Sequence, residues 1–148
     1  MRISSKGRYG LAASTILARN YAGGAYLTVA SLSGELGVSK IYLEQVFALL
    51  KKAGLVNSVK GAQGGYRLSR PPQEITAFEV LTSLEQSLFE KTEQSVAGKA
   101  ADIERAMQET VFSAIDRAIS GMLSKITLYD LAAKAEEYRK AEAYMFYI

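Results

Sequence analysis

Apolar residues in the first third of the chain recur at helical spacing in three bursts, each opened by a hydroxyl side chain and closed by glycine. Tyr9, Leu11, Ala12, Ile16 and Leu17 fit an amphipathic helix that Ser4 or Ser5 can cap, running to about Tyr21 before Gly23 and Gly24 end it. Thr28 opens a second helix of about two turns, lined by Val29, Leu32 and Leu36 and stopped at Gly37. Ser39 opens a third over 40–53. There Ile41, Leu43, Val46, Phe47, Leu49 and Leu50 turn inward, Tyr42, Glu44 and Gln45 are left outward near the start, and Gly54 follows. Two short helices joined by a tight glycine-bearing turn make a helix-turn-helix.

The period then changes. Residues 55–60 and 66–69 are β-rich runs around the turn Gly61-Ala-Gln-Gly-Gly65, and Pro71 and Pro72 stop the second run. A hairpin directly after a recognition helix is a wing. Thr76 and Glu79 have capping-box spacing for a helix reaching about Glu85. From 86 to 101 the periodicity fades into a loop. Between about 101 and 124, Ile103, Met107, Val111, Ile115 and Ile119 recur every four residues, with Met122 beside them. A small core cannot bury so long a stripe from one chain, which predicts pairing with a second copy. Thr127 and Asp130 open a last helix to about Tyr138, and the sequence closes on Ala143-Tyr-Met-Phe-Tyr-Ile148. The predicted fold is mainly α with a small β-hairpin. A winged helix-turn-helix DNA-binding domain occupies 1–85, and a loop, a long dimerisation helix and a C-terminal helix with its tail occupy 86–148.

Composition narrows the chemistry. The chain has 148 residues, 49% apolar and 22% charged, with no Cys and no His. That removes disulfides, thiolate and imidazole metal sites, cysteine nucleophiles and any Ser-His-Asp relay. No apolar run approaches the ~18 residues of a membrane span. Arg2, Lys6 and Arg8 ahead of 10–18 resemble a signal peptide superficially, but Ser14 and Thr15 interrupt the run and Arg19 closes it, so a cytoplasmic protein with no membrane partner is expected.

Charge is uneven along the chain. Residues 1–72 hold ten Lys/Arg against Glu35 and Glu44, a net +8, whereas the remainder holds eight against thirteen, a net −5. A basic first half points to a polyanion. Duplex DNA would be met by Arg2, Lys6 and Arg8 as a phosphate clamp, by Ser39, Lys40, Tyr42, Glu44 and Gln45 on the recognition helix, and by Lys60, Gly61, Gln63 and Gly64 on the wing. Glu can accept from cytosine N4, Gln can pair with adenine, and Tyr can touch phosphate or a thymine methyl. The glycine-rich turn lacks the Lys-Ser/Thr and following helix of a nucleotide-binding loop. Asp130, Glu136, Glu137 and Glu142 are not grouped as an acid/base pair, and no catalytic constellation is present, so an enzyme is not expected.

The segments Met1-Arg-Ile-Ser-Ser-Lys-Gly-Arg-Tyr-Gly-Leu11, Ile41-Tyr-Leu-Glu-Gln-Val46, Lys51-Lys-Ala-Gly-Leu-Val56, Gly61-Ala-Gln-Gly-Gly-Tyr-Arg-Leu68 and Ile126-Thr-Leu-Tyr-Asp-Leu131 resemble, in order and over the whole chain, a winged-helix repressor family. It contains the iron–sulfur cluster regulator, the nitric-oxide-sensing repressor and the cysteine-metabolism repressor. The resemblance implies a homodimer paired through Ile103, Met107, Val111, Ile115, Ile119 and Met122, reading a partly palindromic operator. Cluster-binding members carry three cysteines in the loop at 86–101; this chain has none, so no cofactor is expected. The ending Glu142-Ala-Tyr-Met-Phe-Tyr-Ile148 looks most like the cysteine-metabolism branch. That branch implies complex formation with cysteine synthase (O-acetylserine sulfhydrylase) through Tyr144, Phe146, Tyr147 and Ile148. Two readings of the tail stay open: docking into a partner enzyme, which could even be the main task with DNA binding secondary, or folding back onto the dimer core.

Overall fold

The computed structural model describes residues 1–62 and 64–147, so the candidates Gln63 and Ile148 lie outside the described residues. Helix α1 (Ser5–Arg19) starts at Ser4, whose hydroxyl accepts from the Gly7 amide. The start of α2 (Val29–Leu36) is fixed by Thr28, which accepts from the Ser31 amide, and its end by Gly37 in the left-handed region at φ 68°. Ser39 caps α3 (Lys40–Lys52) in the same way, accepting from the Tyr42 amide. Strands β1 (Val56–Val59) and β2 (Gly65–Leu68) pair antiparallel, Val56 opposite Leu68 and Val59 opposite Gly65. Helix α4 (Ala77–Leu84) follows. After an irregular segment come α5 (Ala101–Ala106), a π-helical stretch Met107–Phe112 and α6 (Ser113–Leu123), then α7 (Leu128–Phe146).

One core joins these elements. Ala13, Leu32, Leu43, Val46, Phe47, Leu50, Ile75 and Leu128 are fully buried. Each large member contributes about 1.5–3 kcal/mol by leaving water. Leu128 arrives from far along the chain. The Ala77 amide donates to the Ile126 carbonyl at 2.8 Å and the Leu128 amide to Ile75 at 2.9 Å, around an antiparallel bridge between Thr76 and Thr127. Helices α4 and α7 therefore begin side by side, and α7 packs along α1.

Four expectations change. Ile41 is 72% exposed, while Tyr42 is half-buried with its ring edge-on to Tyr9 at 5.6 Å. Tyr42 lies four residues before Val46, about 40° from it and hence at the edge of the core face; Ile41, two before Leu43, is turned away by about 200°. Thr76 accepts from the Glu79 amide, but the Glu79 carboxylate leaves the cap for Arg70 at 2.6 Å. The full reciprocal box forms instead at Thr127 and Asp130. Finally, α7 runs past Tyr138 to Phe146, carried by helix-forming Ala, Glu, Lys and Arg with no Gly or Pro. The tail is thus helical as far as Phe146, and Tyr144 and Phe146 sit about 200° apart on it.

The helix 101–123 is continuous and stands off from the body, touching it mainly through α4. Ile103, Val111, Ile115 and Met122 are exposed; Met107 is half-buried, and Ile119 is half-buried near Phe78, Leu88 and Phe89. On a regular helix a period of four drifts by about 40° per step. The π-helical stretch, with more residues per turn, takes back part of that drift and keeps the apolar positions closer to one face. Among the described residues no helix is long and apolar enough to cross a membrane.

Candidate nucleic-acid interface

The recognition helix presents Lys40, Glu44 and Gln45 to solvent, and Ser39 is occupied in capping it. Its inner face is fixed by Leu43, Val46, Phe47 and Leu50, so the rotation that exposes Glu44 and Gln45 is set by the core. Tyr9 against Tyr42 brings α1 beside the start of α3. Phe47 stacks on Tyr66 of β2, ring centroids 4.4 Å apart, and Lys51 Nζ donates to Ser58 Oγ at 2.7 Å, tying both strands to α3. Helix and wing are therefore packed as one unit.

The wing is held from its other side as well. Leu27 and Tyr66 exchange backbone hydrogen bonds of 2.9 and 2.8 Å, and a Cβ on Gly65 would fall 2.1 Å from the Leu27 carbonyl oxygen, so no larger residue allows this pairing. Arg67 lies over the rings of Tyr21 and Tyr26, 5.2 and 5.7 Å from their centroids, and donates to the Gly24 carbonyl. Sequence reasoning missed Arg67, because its partners lie far earlier in the chain and follow no local spacing.

Lys60 and Gly61 are exposed at the wing tip, whereas Gly64 is buried and its amide donates to Gly61, which makes it a turn-closing residue. At the start of α1, Arg2 and Arg8 are exposed and Lys6 half-buried; Arg8 donates to the Ile3 carbonyl at 2.6 Å and to Ser5 Oγ. Among the described residues, Arg2, Lys6, Arg8, Lys40 and Lys60 have no acidic partner in an ion pair, which leaves their charges available to phosphate.

The other sequence candidates sit elsewhere. The exposed stripe on the long helix and the exposed tail residues Tyr144, Met145, Phe146 and Tyr147 are unpacked within the chain, Phe146 being 90% exposed. Glu104 is only 3% exposed: its Oε2 accepts from the Val96 amide at 2.7 Å and the Ser95 amide at 3.0 Å, and its Oε1 accepts from Gln108. These bonds, Val96 first, hold the carboxyl below the ordinary value of 4.5. Because the folded value is the lower one, the contribution is complete above the ordinary carboxylate range and is lost as pH falls through the depressed value. In an acid titration, the midpoint followed at the Ser95 and Val96 amide resonances should lie below 4.5; a midpoint at or above 4.5 would show these bonds absent.

The family model for Rrf2, described as an iron-dependent transcriptional regulator, matches residues 3–134. The HTH-type transcriptional regulator CymR of Bacillus subtilis (strain 168) is 38% identical over 148 residues, covering 100% of both chains. The solved structure of T. potens IscR superposes with a TM-score of 0.73 at 38% identity, covering 99% of this chain and 96% of the other. That of CymR (YrzC), the global cysteine regulator of B. subtilis, gives 0.69 at 34% identity, covering 90% and 98%. An iron–sulfur cluster does not fit the residues present. The chain offers no thiolate and no imidazole, and Glu104 is already committed to the 95–96 amides.

Proposed function

The chain belongs to the Rrf2 family of transcriptional regulators, and we propose that it works as a homodimeric repressor of cysteine or sulfur metabolism genes, reading a partly palindromic operator without an iron–sulfur cluster. It is a regulator, as its relatives are, and not an enzyme. The observation that carries the DNA reading is the unpaired basic and polar surface at the starts of α1 and α3 and at the wing tip. In this reading Lys6, Arg8 and Lys60 meet phosphate, and Glu44 and Gln45 meet base edges in the major groove. The exposed Ile103, Val111, Ile115 and Met122 stripe supplies a two-fold interface. The sulfur assignment is supported by the full-length likeness to CymR, described as the global cysteine regulator of B. subtilis.

The tail favours a partner enzyme. Four adjacent exposed residues, Tyr144 to Tyr147, are poorly suited to water and unpacked on their own protomer, which supports docking to cysteine synthase. Enrichment of genomic fragments on the purified protein should return paired half-sites near sulfur-metabolism genes; sites without two-fold character would contradict the dimeric reading. In calorimetric titration with cysteine synthase, Phe146→Ala and Tyr147→Ala should each weaken the complex by about 2–4 kcal/mol while leaving DNA affinity unchanged. Equal affinities for wild type and both variants would favour a tail that packs on the dimer.

A further inference from the structure

We propose that Glu85 is a positioning residue for DNA binding: from the end of α4 it fixes the start of α1, and through it Lys6 and Arg8. The inference rests on the DNA-binding reading above. Glu85 Oε1 accepts two hydrogen bonds from Ser4, from its amide at 2.8 Å and from its hydroxyl at 2.9 Å. The same hydroxyl accepts from the Gly7 amide at 3.1 Å and so caps α1. A serine hydroxyl has one proton to give. Giving it to Glu85 aims the remaining lone pairs at the helix, so the cap of α1 is oriented by the carboxylate of the residue that closes α4. Arg8 closes the segment by donating to Ile3 and Ser5. Residues 3–8 are thereby held in one shape.

The packing beneath this contact is built for it. A Cβ on Gly7 would stand 2.2 Å from Glu85 Oε1, and one on Gly10 would stand 2.0 Å from Leu84 Cδ1. Both glycines are buried within α1, although glycine is among the poorest helix formers. Their bareness lets the end of α4 lie directly on α1. Electrostatics alone runs against placing an acid here, because a carboxylate beside a phosphate-binding segment repels DNA. The two accounts therefore predict opposite signs: loss of the charge tightens binding if Glu85 acts only as a charge, and loosens it if Glu85 sets geometry.

Gly7→Ala separates them without altering any charge or removing the Ser4 side chain that caps α1. Its methyl meets the Glu85 carboxylate oxygen at 2.2 Å and the end of the Ile3 side chain at 2.9 Å; the closer contact pushes the carboxylate off Ser4, the Ile3 methyl needs only a small shift, and alanine itself favours the helix. With the full-length protein and a random-sequence DNA duplex, Gly7→Ala and Glu85→Ala should each weaken binding about tenfold and reduce the steepness of the log–log salt dependence by about 1–2. The double variant should be no weaker than either single one, and Glu85→Gln, which keeps the accepting oxygen, should recover most of the affinity. Melting temperatures close to wild type accompany this result. Unchanged or tighter binding by Gly7→Ala and Glu85→Ala, an unchanged salt slope, or additive losses in the double variant would overturn the proposal. Wild-type protein that fails to bind the duplex would instead sink the DNA reading itself.

Discussion

Raising salt from low to moderate concentration should loosen the protein from duplex DNA by orders of magnitude. Each phosphate neutralised by Lys or Arg releases counterions, which gives a log–log slope of about −0.9 per contact, and 6–10 contacts cost roughly 10³–10⁵ in affinity between 50 and 200 mM salt. Arg2, Lys6, Arg8, Lys40 and Lys60, taken twice in a dimer, supply enough unpaired cations for such a number. Lys60→Ala should flatten the slope and weaken all sequences alike. Glu44→Ala or Gln45→Ala should leave the slope nearly intact and relax preference at one operator position by about 1–3 kcal/mol. A slope near zero would remove the phosphate-contact account, and identical base-preference profiles for Lys60→Ala and Glu44→Ala would remove the division of roles.

Val111→Asp should abolish the dimer. Val111 is central in the exposed stripe of the long helix, and a carboxylate there would be buried unpaired against the second copy, at about 3–5 kcal/mol. The isolated fold should survive, since Val111 makes no part of the protomer's own core. Operator binding should suffer far more than a factor of two, because joining two DNA-reading units raises affinity by about 10²–10⁴ over one. Sedimentation decides the matter: a wild-type monomer at micromolar concentration, or a Val111→Asp dimer of normal size, would refute pairing through this face.

What could be read from the sequence was whatever depends on near neighbours. Ser4, Thr28, Ser39, Thr76 and Thr127 all cap the helices their spacing implies, because a cap involves residues three positions apart. The hairpin follows from a glycine turn between β-branched and aromatic runs. Ile41 and Tyr42 were exchanged because residue type was weighed above angular position on the helix. The last helix outruns the expected end at about Tyr138 because the Ala, Glu, Lys and Arg beyond it, with no Gly or Pro, continue the helix to Phe146. Glu85 and Arg67 were invisible for another reason: their partners are 81 and 43 residues away, and no local pattern marks a contact made only by folding. Within the interface, Lys40, Glu44, Gln45 and Lys60 are exposed as expected, while the burial of Gly64 depends on how the turn closes.

The bridge between Thr76 and Thr127 makes the intervening chain an excursion clipped at its base. Whatever happens between the end of α4 and the start of α7, the two helix origins stay fastened by the Ala77–Ile126 and Leu128–Ile75 hydrogen bonds and by the burial of Leu128. Closing a flexible loop becomes more costly only logarithmically with length, so doubling such an excursion would cost about 0.6 kcal/mol. The fold of the DNA-reading body within one protomer is thus insulated from changes of length in the segment that carries the long helix. Insertions within that excursion should therefore leave the core packing of α1, α3 and the hairpin in place.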